Sequence, residues 1–313
     1  MLRVPELTDA LIVCTRNRAH QIYNRLQELQ QFSTLPSVVV IVDSSDSAET
    51  EEAVKKTSPQ FPATIKYIRS EPGLPYQRNV GIEWARKNNP KLELIHFLDD
   101  DIIPRSDYFS KIRQICHDAP ELVALGGFDS DLSPNLNSGL MRRLMGIGTK
   151  KCGLILKSGI AVPPFPQSSL ETCQWLVGGM QSVRAWVFNH LQFDAALRMY
   201  GEDIDFYLRI CNLGEIATSI HLPVKHLNDP SNRDSLREVN LYHNGVRWLL
   251  ASRYPEKVSR IRVVQVASVL AVGEAARFVM TRDRKYLSAS RGNFEFLYRL
   301  IRRKSVVQLV EQR

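Results

Sequence analysis

Five short apolar runs, alternating with amphipathic stretches, constrain the fold of this chain more than any other feature. The runs are Ala10 to Cys14, Ser37 to Val42, Ile65 to Arg69, Leu94 to Leu98 and Val123 to Gly127. Between them lie Ala19 to Phe32, Ala48 to Thr57, Tyr76 to Lys87 and Ser106 to Cys116, with apolar residues at helical spacing. Short β-branched runs have the length of buried strands, and alternation with helices builds βαβ units. The pattern predicts an α/β fold with a mostly parallel sheet. In such sheets ligands bind beyond the carboxyl ends of the strands. The residues there are Thr15-Arg16-Asn17-Arg18, Asp43-Ser44-Ser45-Asp46, Ser70-Glu71-Pro72-Gly73 and Asp99-Asp100-Asp101.

The last of these carries the most chemistry. Three adjacent carboxylates at the end of a buried strand repel one another, and a bound divalent cation would neutralise them. Oxygen ligands suit Mg²⁺ or Mn²⁺, which take one or two carboxylates together with substrate phosphates. An acidic turn or helix cap explains an isolated Asp-x-Asp equally well, so the rest of the chain has to decide. Asp46 with Glu49 also fits a capping box opening the second helix.

From Ser130 to Thr172 the glycine and proline content rises, which predicts an excursion or flap. Order returns at Trp175-Leu176-Val177-Gly178-Gly179-Met180, followed by a helix expected from Arg184. Gly201 then leads into Glu202-Asp203-Ile204-Asp205, an acidic helix start that complements the helix dipole. Asp205 stands four residues before Arg209, the spacing of an ion pair on one helix face. A strand is expected over Ile216 to Ile220, followed by Pro223-Val224-Lys225-His226. Asn228-Asp229-Pro230-Ser231 is the boundary signal. It divides the chain into an α/β region 1–228, with halves of about 1–128 and 129–228, and a helical region 229–313.

That last region is basic. From Pro230 to Arg313 there are 17 Lys and Arg against 7 Asp and Glu, whereas the remainder holds 24 against 26. A basic tail on a near-neutral body suits an anionic surface, and Tyr298-Arg299-Leu300-Ile301-Arg302-Arg303-Lys304 mixes apolar and basic residues as an interfacial helix does. The stripe of Tyr242, Trp248, Leu249, Leu250 and Tyr254 reads as packing against the α/β region. No aromatic-basic recognition motif points to nucleic acid. The five cysteines are scattered without Cys-x-x-Cys spacing, as in a reducing compartment. No run reaches ~18 consecutive apolar residues; Val263 to Val272 comes nearest. The expectation is a cytoplasmic protein, peripheral on the inner face of the membrane.

In order, these pieces resemble the family 2 glycosyltransferases over roughly Ala10 to His226. The turn Thr15-Arg16-Asn17-Arg18 looks like that family's first nucleotide-binding turn, and Asp43 sits where an acid lies near the nucleotide base. Gly73-Leu74-Pro75-Tyr76-Gln77-Arg78-Asn79-Val80-Gly81 is similar to its segment with recurring glycine and Arg-Asn. Asp99-x-Asp101 looks like its metal-binding Asp-x-Asp. Trp175-x-x-Gly178-Gly179 and Gly201-Glu202-Asp203 resemble its acceptor-side half.

The resemblance implies a GT-A fold with a Rossmann-like sheet, and inverting transfer of a sugar from a nucleoside-diphosphate donor to an acceptor hydroxyl. It implies Thr15, Arg16, Asn17, Asp43, Arg78, Asn79, Asp99 and Asp100 around the nucleotide sugar, and Trp175, Gly178, Gly179 and Glu202 on the acceptor side. Asp203 would be the catalytic base, and Asp101 and His226 would hold Mn²⁺ or Mg²⁺. The acceptor would be a saccharide or lipid-linked molecule of cell-surface polysaccharide or glycolipid synthesis. Two positions depart from the family: Asp43-Ser44-Ser45-Asp46 lacks the usual acid-acid-glycine, and Gln77 replaces a common alanine. A metal-dependent phosphohydrolase is the rival, although Ile102-Ile103-Pro104 lacks the small hydroxyl residue its aspartyl nucleophile pattern requires. A non-catalytic nucleotide-sugar binder is the third reading.

Overall fold

A computed structural model describes residues 8–132, 153–197, 200–227 and 235–302. Its strands form one nine-stranded sheet in the order β3-β2-β1-β4-β8-β6-β9-β5, with β7 beside β9. The first part is the expected alternation: β1 (Asp9–Thr15), α1 (Ala19–Leu29), β2 (Val38–Asp43), α2 (Glu49–Thr57), β3 (Thr64–Arg69), α3 (Leu74–Asn88) and β4 (Leu94–Leu98). Strands β3, β2, β1 and β4 are parallel neighbours. Every residue of β2 and β4 is buried, as strands covered on both faces require. Leu11, Val13, Leu26, Val39, Leu98 and Phe109 belong to the resulting core. Gly81 lets α3 lie close on β1, because a Cβ there would stand 2.7 Å from Ile12 Cγ2.

The second part departs from simple alternation. After β5 (Ile102–Pro104), α4 (Tyr108–Asp118) and β6 (Leu122–Asp129) come the two-residue β7 (Glu171–Thr172) and β8 (Met180–Arg184). Strand β8 is antiparallel to both β4 and β6. The helix expected from Arg184 is instead the end of β8 followed by a 3₁₀ turn, Ala185–Asn189. Buried Ala185, Val187 and Phe188 make it a packed corner, with no continuous amphipathic face to extend. Helix α5 (Glu202–Ile210) precedes β9 (Glu215–His226), which runs six residues beyond the expected Ile220 because it pairs in turn with β6 and β5. Then come α6 (Leu236–Arg253), α7 (Arg260–Thr281) and α8 (Arg284–Ile301).

The described residues fall into two units, one holding 8–132, 163–195 and 202–227, the other 153–162, 196–197, 200–201 and 235–302. The glycine-rich stretch is thus divided: residues 153–162 group with the helices, since the amide of Ser259 donates to Lys157 O at 2.7 Å and Gly159 packs on Arg247. The boundary tetrapeptide Asn228 to Ser231, most of the flap, and Arg303-Lys304 lie outside the described residues. In the helical unit Tyr242, Leu249 and Leu250 are buried, and Trp248 meets Phe296 edge-on.

Candidate active site

The carboxyl ends of β1, β2 and β4 are joined by side chains that the sequence places in each following turn. Thr15 donates to Asp100 Oδ2 at 2.7 Å, and Arg18 Nη1 to Asp100 Oδ1 at 2.7 Å. Both carboxylate oxygens of Asp100 are therefore engaged within the protein. Burial pushes this carboxyl up, against the pull of Arg18 and Thr15. Asp100 braces the two turns.

Asp43 is engaged within the protein in the same way. Fully buried, it accepts from the amide and hydroxyl of Ser45 on one oxygen and from Tyr67 (2.8 Å) and Arg69 (3.3 Å) on the other. A carboxylate has about four lone-pair sites, and all are used. Asp43 thus fixes the loop after β2. Asn17 and Asp46 exchange hydrogen bonds of 2.7 and 2.8 Å, and Arg16 approaches Asp46 at 3.4 Å. These contacts replace the expected capping box; α2 starts after Ala48 with no side-chain cap. Asn17 adopts φ 55°, a left-handed conformation asparagine tolerates. The departing Gln77 bridges β1 and β2, donating to Thr15 O at 3.0 Å and Val42 O at 2.8 Å.

On the other side of β4, Arg78 is only 2% exposed. Its Nη1 donates to Glu202 Oε1 at 2.9 Å and its Nη2 stands 3.6 Å from Asp99 Oδ1. The guanidinium lies 5.3 Å from the Phe193 ring centroid. Arg78 therefore neutralises carboxylates inside the protein. Asn79 also turns inward, pairing with both backbone polar groups of Phe193 at 2.8 and 3.0 Å.

The Gly178–Gly179 segment runs through the centre of this arrangement. Asp99 N donates to Gly179 O at 3.0 Å, and Gly178 N to Asp203 Oδ2 at 3.3 Å. A Cβ on Gly178 would stand 2.8 Å from Arg78 Nη1, and one on Gly179 2.1 Å from Asp99 Oδ2. Only glycine permits so close an approach. The segment brings Asp99 and Asp203, far apart in sequence, onto one structure. Asp203 opens α5 and also accepts from Ile204 N at 2.8 Å. Its carboxyl is raised by burial, and Glu202 is pushed up to about 8 by burial and by Asp203. Asp205 pairs with Arg209 at 2.8 Å, as its spacing requires. Trp175 is buried near this segment's start.

Asp101 meets His226 by way of a strand the sequence did not announce. Pairing of β5 with β9 sets Ile102 opposite His226, and Asp101 Oδ1 lies 3.3 Å from His226 Nε2. Burial acts upward on Asp101, but the His226 hydrogen bond and Arg18, 3.6 Å away, hold its carboxyl below the usual range. The same bond raises His226. The pair offers one oxygen and one nitrogen donor. No cluster of three such ligands occurs among the described residues. Two protein ligands fit a dication whose shell is completed by substrate phosphates. A groove of about 630 Å³ lined by Phe32, Pro36 and Phe61 lies before β2 and β3, at the opposite strand ends from this chemistry.

Comparison with known proteins bears on the family and the fold. The family model described as "Glycosyl transferase family 2" matches residues 10–168, just over half of the chain. No curated protein sequence matches. Among solved structures, GalNAc-T7 with UDP, GalNAc and Mn²⁺ superposes with a TM-score of 0.59 at 15% identity, over 98% of this chain and 56% of that one. The chain thus spans little more than half of that protein. The mannosyltransferase PcManGT from Pyrobaculum calidifontis, in complex with GDP-Man and Mn²⁺, gives 0.60 at 15% identity, over 95% and 88%. At 15% identity both likenesses are of fold, and the fold of this chain is that of the GT-A glycosyltransferases.

Proposed function

The chain belongs to glycosyl transferase family 2, and from that premise we propose that it moves a hexose-type sugar from a nucleoside-diphosphate donor to an acceptor hydroxyl with inversion. The observation that carries this reading is the Gly178–Gly179 segment, with the Asp99 amide fastened to Gly179 O and the Asp203 carboxylate to Gly178 N. A donor-side acid and an acid opening a helix are thereby held on one structure.

Asp203 takes the proton of the acceptor hydroxyl. The hydroxyl oxygen bonds to the anomeric carbon as the bond from that carbon to the diphosphate oxygen breaks, and the electron pair leaves with the nucleoside diphosphate. A carboxylate raised by burial is a better base than an ordinary one. Three carboxylates, Asp99, Glu202 and Asp203, share the single guanidinium of Arg78, so one of them keeps a proton at neutral pH. Burial raises all three carboxyls, and Glu202, pushed up to about 8, holds that proton in this reading. Asp101 and His226 hold a divalent cation, which when bound offsets the charge gained by the diphosphate; the Mn²⁺ in both neighbours supports this choice.

Arg16 and the open side of Asp99 face the donor, while Thr15, Asp43, Arg78, Asn79 and Asp100 shape the wall behind it. The acceptor is a saccharide or lipid-linked chain of the kind used in cell-surface polysaccharide or glycolipid synthesis. The free thiols of Cys14, Cys116 and Cys211 suit a reducing compartment and support a cytoplasmic location.

A panel of nucleoside-diphosphate sugars with Mn²⁺, scored for nucleoside diphosphate release and for product anomeric configuration by NMR, tests the reading. Asp203→Asn is expected to bind donor normally by thermal shift and to lose a hundredfold or more, on the order of 10²–10⁴, in turnover. Release of inorganic phosphate in place of nucleoside diphosphate would identify a phosphohydrolase.

A further inference from the structure

We infer that the outward face of α7 docks this protein onto a bilayer rich in anionic phospholipid, lying in the plane of the surface. Helix α7 is long and apolar enough to cross a membrane by length and composition, although Gln265 and Ser268 interrupt its apolar run. Its inward side is covered: Val263, Val266, Ala267 and Ala271 are buried, and Ser290 of α8 donates to Ala271 O at 2.8 Å. Its other side is bare, with Ile261 80%, Val272 63% and Val279 61% exposed, and Met280 74% at the margin. At ~100° per residue the first three project within about 20° of one another. They form a single stripe. A helix apolar all round but covered on one side presents a second face that water does not favour.

The polar residues near the stripe are already satisfied within the helix. Ser268 donates its hydroxyl to Val264 O at 2.9 Å, and Gln265 Oε1 accepts from Arg262 at 2.7 Å. Neither needs water to enter an apolar boundary.

Charge selects the occupant. Arg260 and Arg262 stand at one end of α7, and Arg277, Arg282, Arg284 and Lys285 at the other. An apolar stripe with cations at both ends matches the boundary between acyl chains and phosphate headgroups. A second strip of the same kind lies on α8, where exposed Phe294, Tyr298 and Ile301 recur at i, i+4 and i+7 between Arg291 and Arg302. Spanning is disfavoured because α7 is fastened to α8, whose Glu295 is paired with Arg237 and Arg299 at 2.6 and 2.8 Å. Such ion pairs belong in water or at its edge.

This inference stands apart from the transfer reading. The full chain is sedimented with sucrose-loaded vesicles containing phosphatidylglycerol, or with phosphatidylcholine alone. Binding to the anionic vesicles is expected to be about tenfold tighter or more, and to weaken with salt. The double variant Val272→Glu, Val279→Glu should lose about tenfold in vesicle affinity or more, with unchanged melting temperature and unchanged thermal shift by GDP or UDP. Four results overturn the proposal: no vesicle binding, equal binding to neutral vesicles, a double variant that binds like the parent, or a dimer in sedimentation equilibrium that the double variant dissolves. Resistance to alkaline carbonate extraction from cell membranes also overturns it, since that behaviour belongs to a spanning helix.

Discussion

Arg78 sets the terms at the scale of single residues, because a buried cation among Asp99, Glu202 and Asp203 decides which of the acids can ionise. Removing it leaves buried carboxylates uncompensated, so Arg78→Met is expected to cost about 3–5 kcal/mol in urea unfolding. Pairing it with Glu202→Gln should recover part of that loss without restoring transfer, which a double-mutant cycle measures. The sign of the pH effect follows from Glu202. Its folded value of about 8 lies above the ordinary 4.5, so the folded state holds a proton that the unfolded state releases. That contribution to stability is complete below pH 4.5 and declines as pH rises to about 8. Glu202→Gln should remove this decline, visible when melting temperatures of the two proteins are compared across that window. It should also leave turnover near the parental value, since glutamine resembles the protonated acid that already accepts from Arg78. Loss of turnover comparable to Asp203→Asn would assign the base to Glu202 instead.

At the scale of elements, the register of β1, β4 and β8 depends on a buried polar network. His96 on β4 lies between Asp9 Oδ2 at 3.0 Å and Ser182 Oγ at 2.7 Å, and Arg113 from α4 grips Asp9 at 2.7 and 2.8 Å. Asp9→Ala would strand the buried His96 and the partly buried Arg113 and is expected to cost about 3–5 kcal/mol, read from the urea midpoint at constant slope. Strands β1, β2 and β4 were legible in the sequence because each is an almost unbroken apolar run with helical spacing between, and β3 by its alternation. The antiparallel insertion of β8 was not, since Met180-Gln181-Ser182-Val183-Arg184 has no such run and its partners lie more than 50 residues away. For the same reason the Asp triplet could be located as a site, while the division of labour inside it could not. Asp100 looks like its neighbours in sequence, and only the turn after β1 converts it to a brace. Spacing marked Arg78 as functional, but its inward direction depends on Glu202, 124 positions on. His226 could be named from resemblance alone; the three-residue β5 that brings it to Asp101 is too short to announce itself.

At the scale of the whole molecule, the helical unit cannot be treated as a removable tail, because residues 153–162 belong to it. Lys157 Nζ donates to Glu256 O at 2.6 Å, the amide of Ser259 to Lys157 O at 2.7 Å, and Gly159, at φ 72°, leaves room for Arg247 Cγ where a Cβ would stand 3.0 Å away. The composition shift near residue 230 marks where the basic helices begin but is blind to a partner segment 70 residues upstream, since grouping is a property of contacts and not of local charge. A chain ended at residue 229 would keep 153–162 and lose every one of these partners. The bridge between Ile155 and Ala161 would then have to hold that segment alone, and isolated two-stranded structures are marginal in water. Trypsin should therefore cut the shortened chain after Lys157 at least about tenfold faster than the full chain, because cleavage follows the population of the opened segment. Mass spectrometry of timed digests reads this directly. Equal rates at Lys157 would mean that the segment is ordered without the helices, and that the boundary near 229 is a true one.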